Sequence, residues 1–259
     1  MDDNLFSVAG KKVVLTGACG LIGRTLAEAL VQRQASLALA DVPETHPEVL
    51  AGRLSGDVMG VTCDVSHASS VSRLVQKILE RFGRVDVLIN CHQYKPEGFC
   101  TAQPESFPEE LWDAIVDTNL KGTFLTCRDF GRIMLEQGKG SIINFASTYG
   151  VVSSNPQLYE NNCLGNPLAY SASKGGVILL TRYLGTYWAR RGVRVNCITP
   201  HGVYNGHEEM FIKRFNQMSP MGRMMKVKEV VGAVLYLASD ASSYATASNL
   251  LVEGGWSAW

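Results

Sequence analysis

The chain carries no net charge, because 24 lysines and arginines are matched by 24 aspartates and glutamates. The basic residues are dispersed, with only short pairs such as Lys11-Lys12 and Arg190-Arg191. Without a basic stripe there is no footprint for nucleic acid or for an anionic membrane surface, and neither is expected as a partner. No run of about 18 apolar residues exists to span a bilayer. Met1-Asp2-Asp3-Asn4 is acidic and no apolar stretch follows it, so no secretory signal is read and a cytoplasmic protein is expected. The seven cysteines are an odd number without a Cys-x-x-Cys pair, which argues against a disulfide framework and a zinc site. No metal is expected, and the thiols read as reduced and mostly buried. Repeats, low-complexity tracts and Pro/Ser/Gly linkers are also missing, so residues 1–259 are expected to form a single domain.

What is present is a neutral, 46% hydrophobic chain, long enough to bury roughly three-quarters of its unfolded surface in one core. Short β-rich runs at 12–15, 36–40, 58–62, 85–89, 141–145, 193–198 and 249–252 are nearly continuous apolar segments, as strands covered on both faces should be. Helical patterns lie between them, at roughly 21–33, 67–82, 108–117, 119–137, 167–191 and 227–238. Val71, Leu74, Val75, Ile78 and Leu79 mark one buried helical face, with Ser66 as the expected N-cap and Gly83 as the stop. Such alternation predicts an α/β fold: a doubly wound, parallel, seven-stranded sheet with helices on both faces.

The first strand runs into Thr16-Gly17-Ala18-Cys19-Gly20-Leu21-Ile22-Gly23 and then a helix. Glycines at such a turn let backbone approach a pyrophosphate, and the helix N-terminus offers unpaired N–H donors. Gly17, Cys19, Gly20, Leu21, Ile22 and Gly23 are therefore candidate cofactor contacts; the alternative is a tight turn with packing glycines. Asp41 ends the second strand, 24 positions after Gly17. A carboxylate there accepts from both hydroxyls of an adenosine ribose and repels a 2′-phosphate, which favours NAD(H) over NADP(H); otherwise it is a solvated loop residue. Asp64, followed by Val65, either accepts from the adenine amine or begins the next helix cap.

Tyr170-Ser171-Ala172-Ser173-Lys174 puts a phenol and an ammonium at i and i+4, adjacent on one helical face. The cation is expected to lower the phenol pKa toward neutrality, where it can exchange a proton with an alcohol or carbonyl. Nine tyrosines and ten lysines give roughly a third of one such match by chance, so the pair alone is weak. It comes in a fixed order, however: the glycine turn, Asp41, Asp64-Val65, Leu88-Ile89-Asn90, Thr118-Asn119-Leu120, Gly140 to Ser147, Tyr170 with Lys174, Val195 to Pro200, and Glu253-Gly254-Gly255. In these motifs the whole chain resembles the short-chain dehydrogenase/reductase family, a Rossmann fold. The resemblance implies a catalytic tetrad of Asn119, Ser147, Tyr170 and Lys174 and hydride transfer between a nicotinamide and a carbinol or carbonyl carbon. It makes Tyr170 the general acid/base and gives Lys174 the nicotinamide ribose. Ser147 holds the substrate oxygen, and Asn119 anchors a water that relays protons from Lys174. Ser147 and Asn119 are, taken singly, equally readable as local backbone caps. Asn90, Cys91, Pro200, Gly202 and Val203 complete the implied cofactor contacts, and a homotetramer or homodimer is implied as well.

The departures from the family pattern are where substrate contacts are expected. The family's Asn-Asn-Ala-Gly is here Asn90-Cys91-His92-Gln93, so His92 or Gln93 either reaches substrate or sits at the surface. The usual Pro-Gly is Pro200-His201, and Asn205 replaces a threonine; His201 either meets the ligand or faces solvent. About ten extra residues precede Tyr170, at 155–166, rich in amides and carrying Tyr159. They form either a loop over the active site or a subunit contact. Residues 205–219 are expected to be the substrate lid, with His207, Glu208, Glu209 and Phe211 exposed. Tyr149 completes the substrate candidates. Residues 145–150, the insert, 220–224 and the terminal Gly254 to Trp259 resemble, more loosely, a branch linked to bacterial surface-polysaccharide and flagellin-glycan sugar biosynthesis. The expected activity is NAD(H)-dependent oxidoreduction of a secondary alcohol or ketone on a sugar or sugar-derived small molecule. Its rivals are a reductase of a small non-sugar carbonyl compound and a cofactor-binding regulator without catalysis.

Overall fold

The computed structural model describes residues 4–97, 99, 103–160 and 168–259. Among them β1 (Lys12–Thr16), β2 (Ser36–Asp41), β3 (Val58–Thr62), β4 (Val87–Asn90), β5 (Gly140–Phe145), β6 (Val193–Pro200) and β7 (Asn249–Val252) form one parallel sheet in the order β3-β2-β1-β4-β5-β6-β7. The connecting helices are α1 (Leu21–Val31), α2 (Pro47–Gly52), α3 (Ala68–Phe82), α4 (Glu109–Val116), α5 (Gly122–Gln137), α6 (Leu168–Trp188), α7 (Glu209–Met218) and α8 (Val231–Ala238).

Alternate residues of each strand feed two separate cores, as the two-residue pleat requires. Val13, Leu15, Leu37, Leu39 and Ile143 meet α1 and α8 through Leu26, Leu30, Val234 and Leu237. Val14, Ala38, Leu88 and Ile142 meet α3 and α5 through Leu74, Ile78, Phe130 and Met134 on the other face. The doubly wound, seven-stranded expectation holds. The strand order reverses between β1 and β4, and this switch point opens a crevice at the carboxyl ends of the strands.

Local expectations hold in part. The Val71, Leu74, Val75, Ile78 stripe is buried, and Gly83 stops α3 at φ 71°. Ser66 is not its N-cap. The carboxylate of Asp64 takes both the Ser66 N–H (2.9 Å) and its hydroxyl (2.7 Å), closing a turn ahead of the helix, whose N-cap position falls to His67. The helices expected at 108–117 and 119–137 are joined. With no proline or glycine from Asp117 to Lys121 the backbone stays helical, and the chain passes from α4 to α5 through one wide π-turn. Two helices were not expected. α2 is a single short turn and a half behind Pro47, and α7 occupies the region read as a lid loop, with Phe211 and Phe215 buried one turn apart.

Candidate active site

A cleft of about 890 Å³ follows the switch point from Asp41 and α1 at one end to Tyr149, His201 and α7 at the other.

The α1 end is main chain. Gly17 has φ 68°, and a Cβ there would fall 2.6 Å from the backbone of His92 across the turn. A Cβ on Gly23 would fall 2.2 Å from the Gly17 carbonyl, so this glycine lets α1 press against the turn. Gly20 is different. A Cβ there would meet only the Gly17 carbonyl, at an ordinary 3.5 Å, and Gly20 starts α1 without any side-chain cap. The first-turn N–H groups of such a helix have no intrahelical acceptor and face the cleft with its positive dipole, which fits a dinucleotide pyrophosphate. Cys19, Leu21, Ile22, Cys91, Pro200, Gly202 and Val203 also line the cleft. Asp41 is held at its rim. One carboxylate oxygen accepts from the Cys19 N–H (2.8 Å) and the other from the Val42 N–H (2.9 Å), leaving further lone pairs toward the cleft. Asp64 and Val65 line the same wall. Asp64 is the cap of its own turn while facing the cleft, and its carboxyl is held low by the hydrogen bonds from Ser66 and the neighbouring His67.

Asn90 is a correction. It does not line the cleft, and its amide is consumed by Asn144 (2.9 Å), Thr16 (3.3 Å) and Cys127 (3.5 Å) inside the sheet. His92 is a second. The ring points into the protein, with Nδ1 2.7 Å from the Thr16 hydroxyl and Nε2 3.2 Å from that of Thr123. Thr123 in turn donates to the Asn119 carbonyl (2.8 Å). Burial pushes this imidazole down to about 3, so it is neutral. His92 ties the end of β1 to the π-turn and also lines the cleft between Cys91 and Gln93. Its neighbour Gln93 is exposed on the cleft rim.

The opposite end is side chain. Tyr170 and Lys174 project from the first turns of α6. A Cβ on Gly150 would fall 2.6 Å from the Lys174 backbone, so this glycine lets the 148–150 turn lie directly on α6. That contact delivers Ser147, which accepts from the Tyr149 N–H (3.2 Å) as a cap and also hydrogen-bonds the Tyr170 phenol. Ser147 is thus a local cap that also touches the Tyr170 phenol. The buried Lys174 donates to the Phe145 carbonyl (2.8 Å) and sits 5.7 Å from the centre of the Tyr170 ring. Its ammonium is brought down to about 8 by burial. The expected lowering of the Tyr170 pKa is not produced by the protein alone. Burial raises the phenol, opposed by the hydrogen bond from Ser147, while Lys174 lies under the ring with its ammonium on Phe145. Cys91, facing the same space, is a neutral thiol pushed up to about 12 by burial.

Asn119 sits in the π-turn, wholly buried, and does not line the cleft. Its side-chain oxygen accepts from the Tyr94 N–H (2.8 Å), and its amide donates to Ser173 (3.4 Å). The water-anchoring role expected for this side chain is not supported, because both ends of the amide are engaged by protein.

Around Tyr170 the structure adds residues that sequence reasoning missed. The buried Phe99 meets the phenol edge-on at 5.8 Å, and Lys95 lies 6.0 Å from its ring centre. Tyr149 and Tyr159 join through their hydroxyls, Tyr149 packs on His201, and Tyr159 packs on Phe211. Phe211, expected to be exposed, is 6% accessible, because it shares a cluster with Leu158, Phe215 and Met224 that fastens the start of the insert to α7. His207 is half-buried, Glu208 and Glu209 are exposed, and Asn205 lines the cleft mouth. Insert residues 161–166 lie outside the described residues. No signal of period or spacing links these distant aromatics; only their side-chain volume hinted at a wall.

Against known proteins, the family model described as enoyl-(acyl carrier protein) reductase matches residues 17–257. The chain belongs to the short-chain dehydrogenase/reductase family. It is 34% identical to the D-threitol dehydrogenase of Mycolicibacterium smegmatis, over 97% of this chain and 94% of that protein. It is 30% identical to the NAD-dependent glycerol dehydrogenase of Listeria innocua, over 98% and 96%. Among solved structures, a gluconate 5-dehydrogenase from Burkholderia cenocepacia in complex with NADP and tartrate has a TM-score of 0.89 at 26% identity, covering 99% of this chain and 98% of that one. This short-chain dehydrogenase/reductase is accordingly a nicotinamide-dependent oxidoreductase of alcohol groups on a small molecule. No described helix is long and apolar enough to cross a membrane.

Proposed function

We propose that the protein oxidises a secondary hydroxyl of a polyol to the ketone, and reduces the ketone in reverse, with NAD(H). The observation that carries this is the meeting of Ser147, Tyr170 and Lys174 in the same cleft that begins at Asp41 and the uncapped α1. A bound nicotinamide supplies the hydride acceptor or donor. Tyr170 Oη takes the hydroxyl proton and returns it in reverse; Ser147 Oγ holds the substrate oxygen and its developing charge. Lys174, fixed on Phe145, keeps a cation under the phenol and would hold the nicotinamide ribose. Asn119 acts through Tyr94 and Ser173, as a positioning residue.

The relatives named for threitol and glycerol, and the neighbour named for gluconate, support a polyhydroxylated substrate. So does a wall of rings with polar edges, Tyr149, Tyr159 and His201. A long acyl chain would need a wall without such edges. The amide-rich insert and the looser branch resemblance favour, as a second reading, a sugar destined for a surface glycan. Asp41 at the rim supports NAD(H), although the cofactor named among the relatives and neighbours is NAD in some and NADP in others. In this reading residues 1–259 are one domain of a cytoplasmic enzyme, with the insert at 155–166 and the lid at 205–219 closing the substrate end. Leu179, Tyr183 and Tyr187 on α6 and Phe124 on α5 are exposed large side chains, which supports pairing of these helices in a homodimer or homotetramer.

The test is reduction of NAD by a panel of polyols, sugars and nucleotide sugars with wild type and Tyr170→Phe. A polyol is expected to be turned over and the variant to lose about 10³-fold or more in kcat. Full activity in Tyr170→Phe sinks the catalytic assignment.

A further inference from the structure

The residue after Pro200, where the family usually has glycine, is a histidine buried to 8% accessibility. Its ring is boxed by Trp256 at 4.3 Å, Phe215 at 5.1 Å and Tyr149 edge-on at 5.4 Å. Inside that box the His201 Nε2 is shielded from solvent and has no hydrogen-bond partner among the described residues. An imidazole nitrogen left unpaired in apolar surroundings is a standing cost to the fold, and it is relieved when a ligand supplies the partner. The ring is the partition between the main cleft and a side pocket of about 260 Å³ behind it, and lines both. Burial takes the imidazole down to about 4, so it meets a ligand as a neutral donor or acceptor and does not select for charge. Tyr149, packed on the ring, is two residues from Ser147, and His201 and Ser147 line the same cleft.

We propose that His201 is a specificity residue. Its Nε2 pairs with a second hydroxyl of the substrate, next to the one that reacts, while Phe215, which also lines the cleft, packs against the carbon chain. The enzyme then prefers polyols to mono-alcohols of equal length, because only the polyol satisfies the buried nitrogen. The surrounding rings favour a hydroxyl over a carboxylate: the histidine is neutral, and Arg223 on the side-pocket wall is already paired with Glu229. This inference rests on the polyol reading above.

The experiment compares kcat/KM for glycerol, threitol, arabinitol and mannitol with that for 2-propanol, 2-butanol, 2-pentanol and 2-hexanol, chain length by chain length. His201→Phe keeps a ring in the box and removes the nitrogen; its polyol preference is expected to fall by about tenfold, the worth of one neutral hydrogen bond. His201→Gln, which returns a hydrogen-bonding group near the Nε2 position, is expected to recover most of it. If His201→Phe does not fold, His201→Met reads the same ratio. A ratio unchanged within twofold, or equal losses on both substrate classes, overturns the role of His201 and leaves the polyol reading standing. A wild type that turns over no polyol overturns that reading and this inference with it.

Discussion

Under α1 the surface offered to a ligand is mostly main chain: a Cβ on Gly17 or Gly23 would fall 2.6 or 2.2 Å from neighbouring backbone, and Gly20 starts the helix. Beyond Tyr170 it is almost all side chain. Tyr149 comes from the turn after β5, Tyr159 from the insert, His201 from the end of β6, and Phe211 and Phe215 from α7. A backbone surface tolerates no exchange at its glycines and is indifferent elsewhere, so one end is fixed for every substrate. An aromatic wall drawn from separate segments changes one residue at a time without moving the sheet. The proposed chemistry sits at the seam, where Gly150 lays Ser147 onto α6.

Substitutions at the seam should have the largest effects and should spare the α1 end. Ser147→Ala is expected to lower kcat by about 10³-fold, with NADH affinity, read by fluorescence titration, within a few-fold of wild type. Gly150→Ala touches no ligand, yet its added methyl must push the 148–150 turn off the Lys174 backbone. A displacement of about 1 Å at a reacting group costs on the order of 10²-fold, so a similar loss of kcat is expected. Normal kcat in Gly150→Ala would show that the seam yields to a methyl placed 2.6 Å from the Lys174 backbone.

His92 joins the two halves from below, and its test is stability. Its folded-state pKa is depressed to about 3 from 6.5, so between those values the unfolded chain binds a proton that the folded ring refuses. Stability therefore falls as pH drops from 6.5 toward 3. By pH 4.5 this one group is expected to remove about 2 kcal/mol, and His92→Gln should lose correspondingly less in urea titrations at pH 7 and 4.5. Parallel losses in both proteins would mean that the ring is protonated in the fold.

The smallest effect belongs to the rim of the α1 end. Asp41→Ala is expected to weaken NADH about tenfold and leave NADPH no weaker, as the loss of one charged hydrogen-bond acceptor implies. NADPH binding tighter than NADH in the wild type would remove the basis for the NAD assignment.

These differences in construction explain what could be read before the fold was seen. The apolar runs of β1, β4 and β5 are buried on both faces, so local composition announced them, and Gly17, Gly20, Gly23, Tyr170 and Lys174 are close in sequence and so visible as motifs. Asn119 was found but not its geometry, because a π-turn leaves no mark in residue type. His92 was placed at the surface or on substrate because nothing near it in sequence names Thr16 and Thr123 as its partners. The box around His201 was invisible for the same reason: Tyr149, Phe215 and Trp256 are brought together only by tertiary packing. The seam depended on Gly150, which reads locally as an ordinary turn residue.

The central claim is that hydride leaves a carbinol carbon of a polyol at the Ser147–Tyr170–Lys174 end of the cleft. It is tested most directly with threitol deuterated at its two inner carbons, turned over with NAD, and mass analysis of the reduced cofactor. One deuterium in each NADH formed by the wild type, and no NADH from Tyr170→Phe above background, is the expected result. NADH that forms without deuterium, or label transfer that survives loss of the phenol, would contradict it.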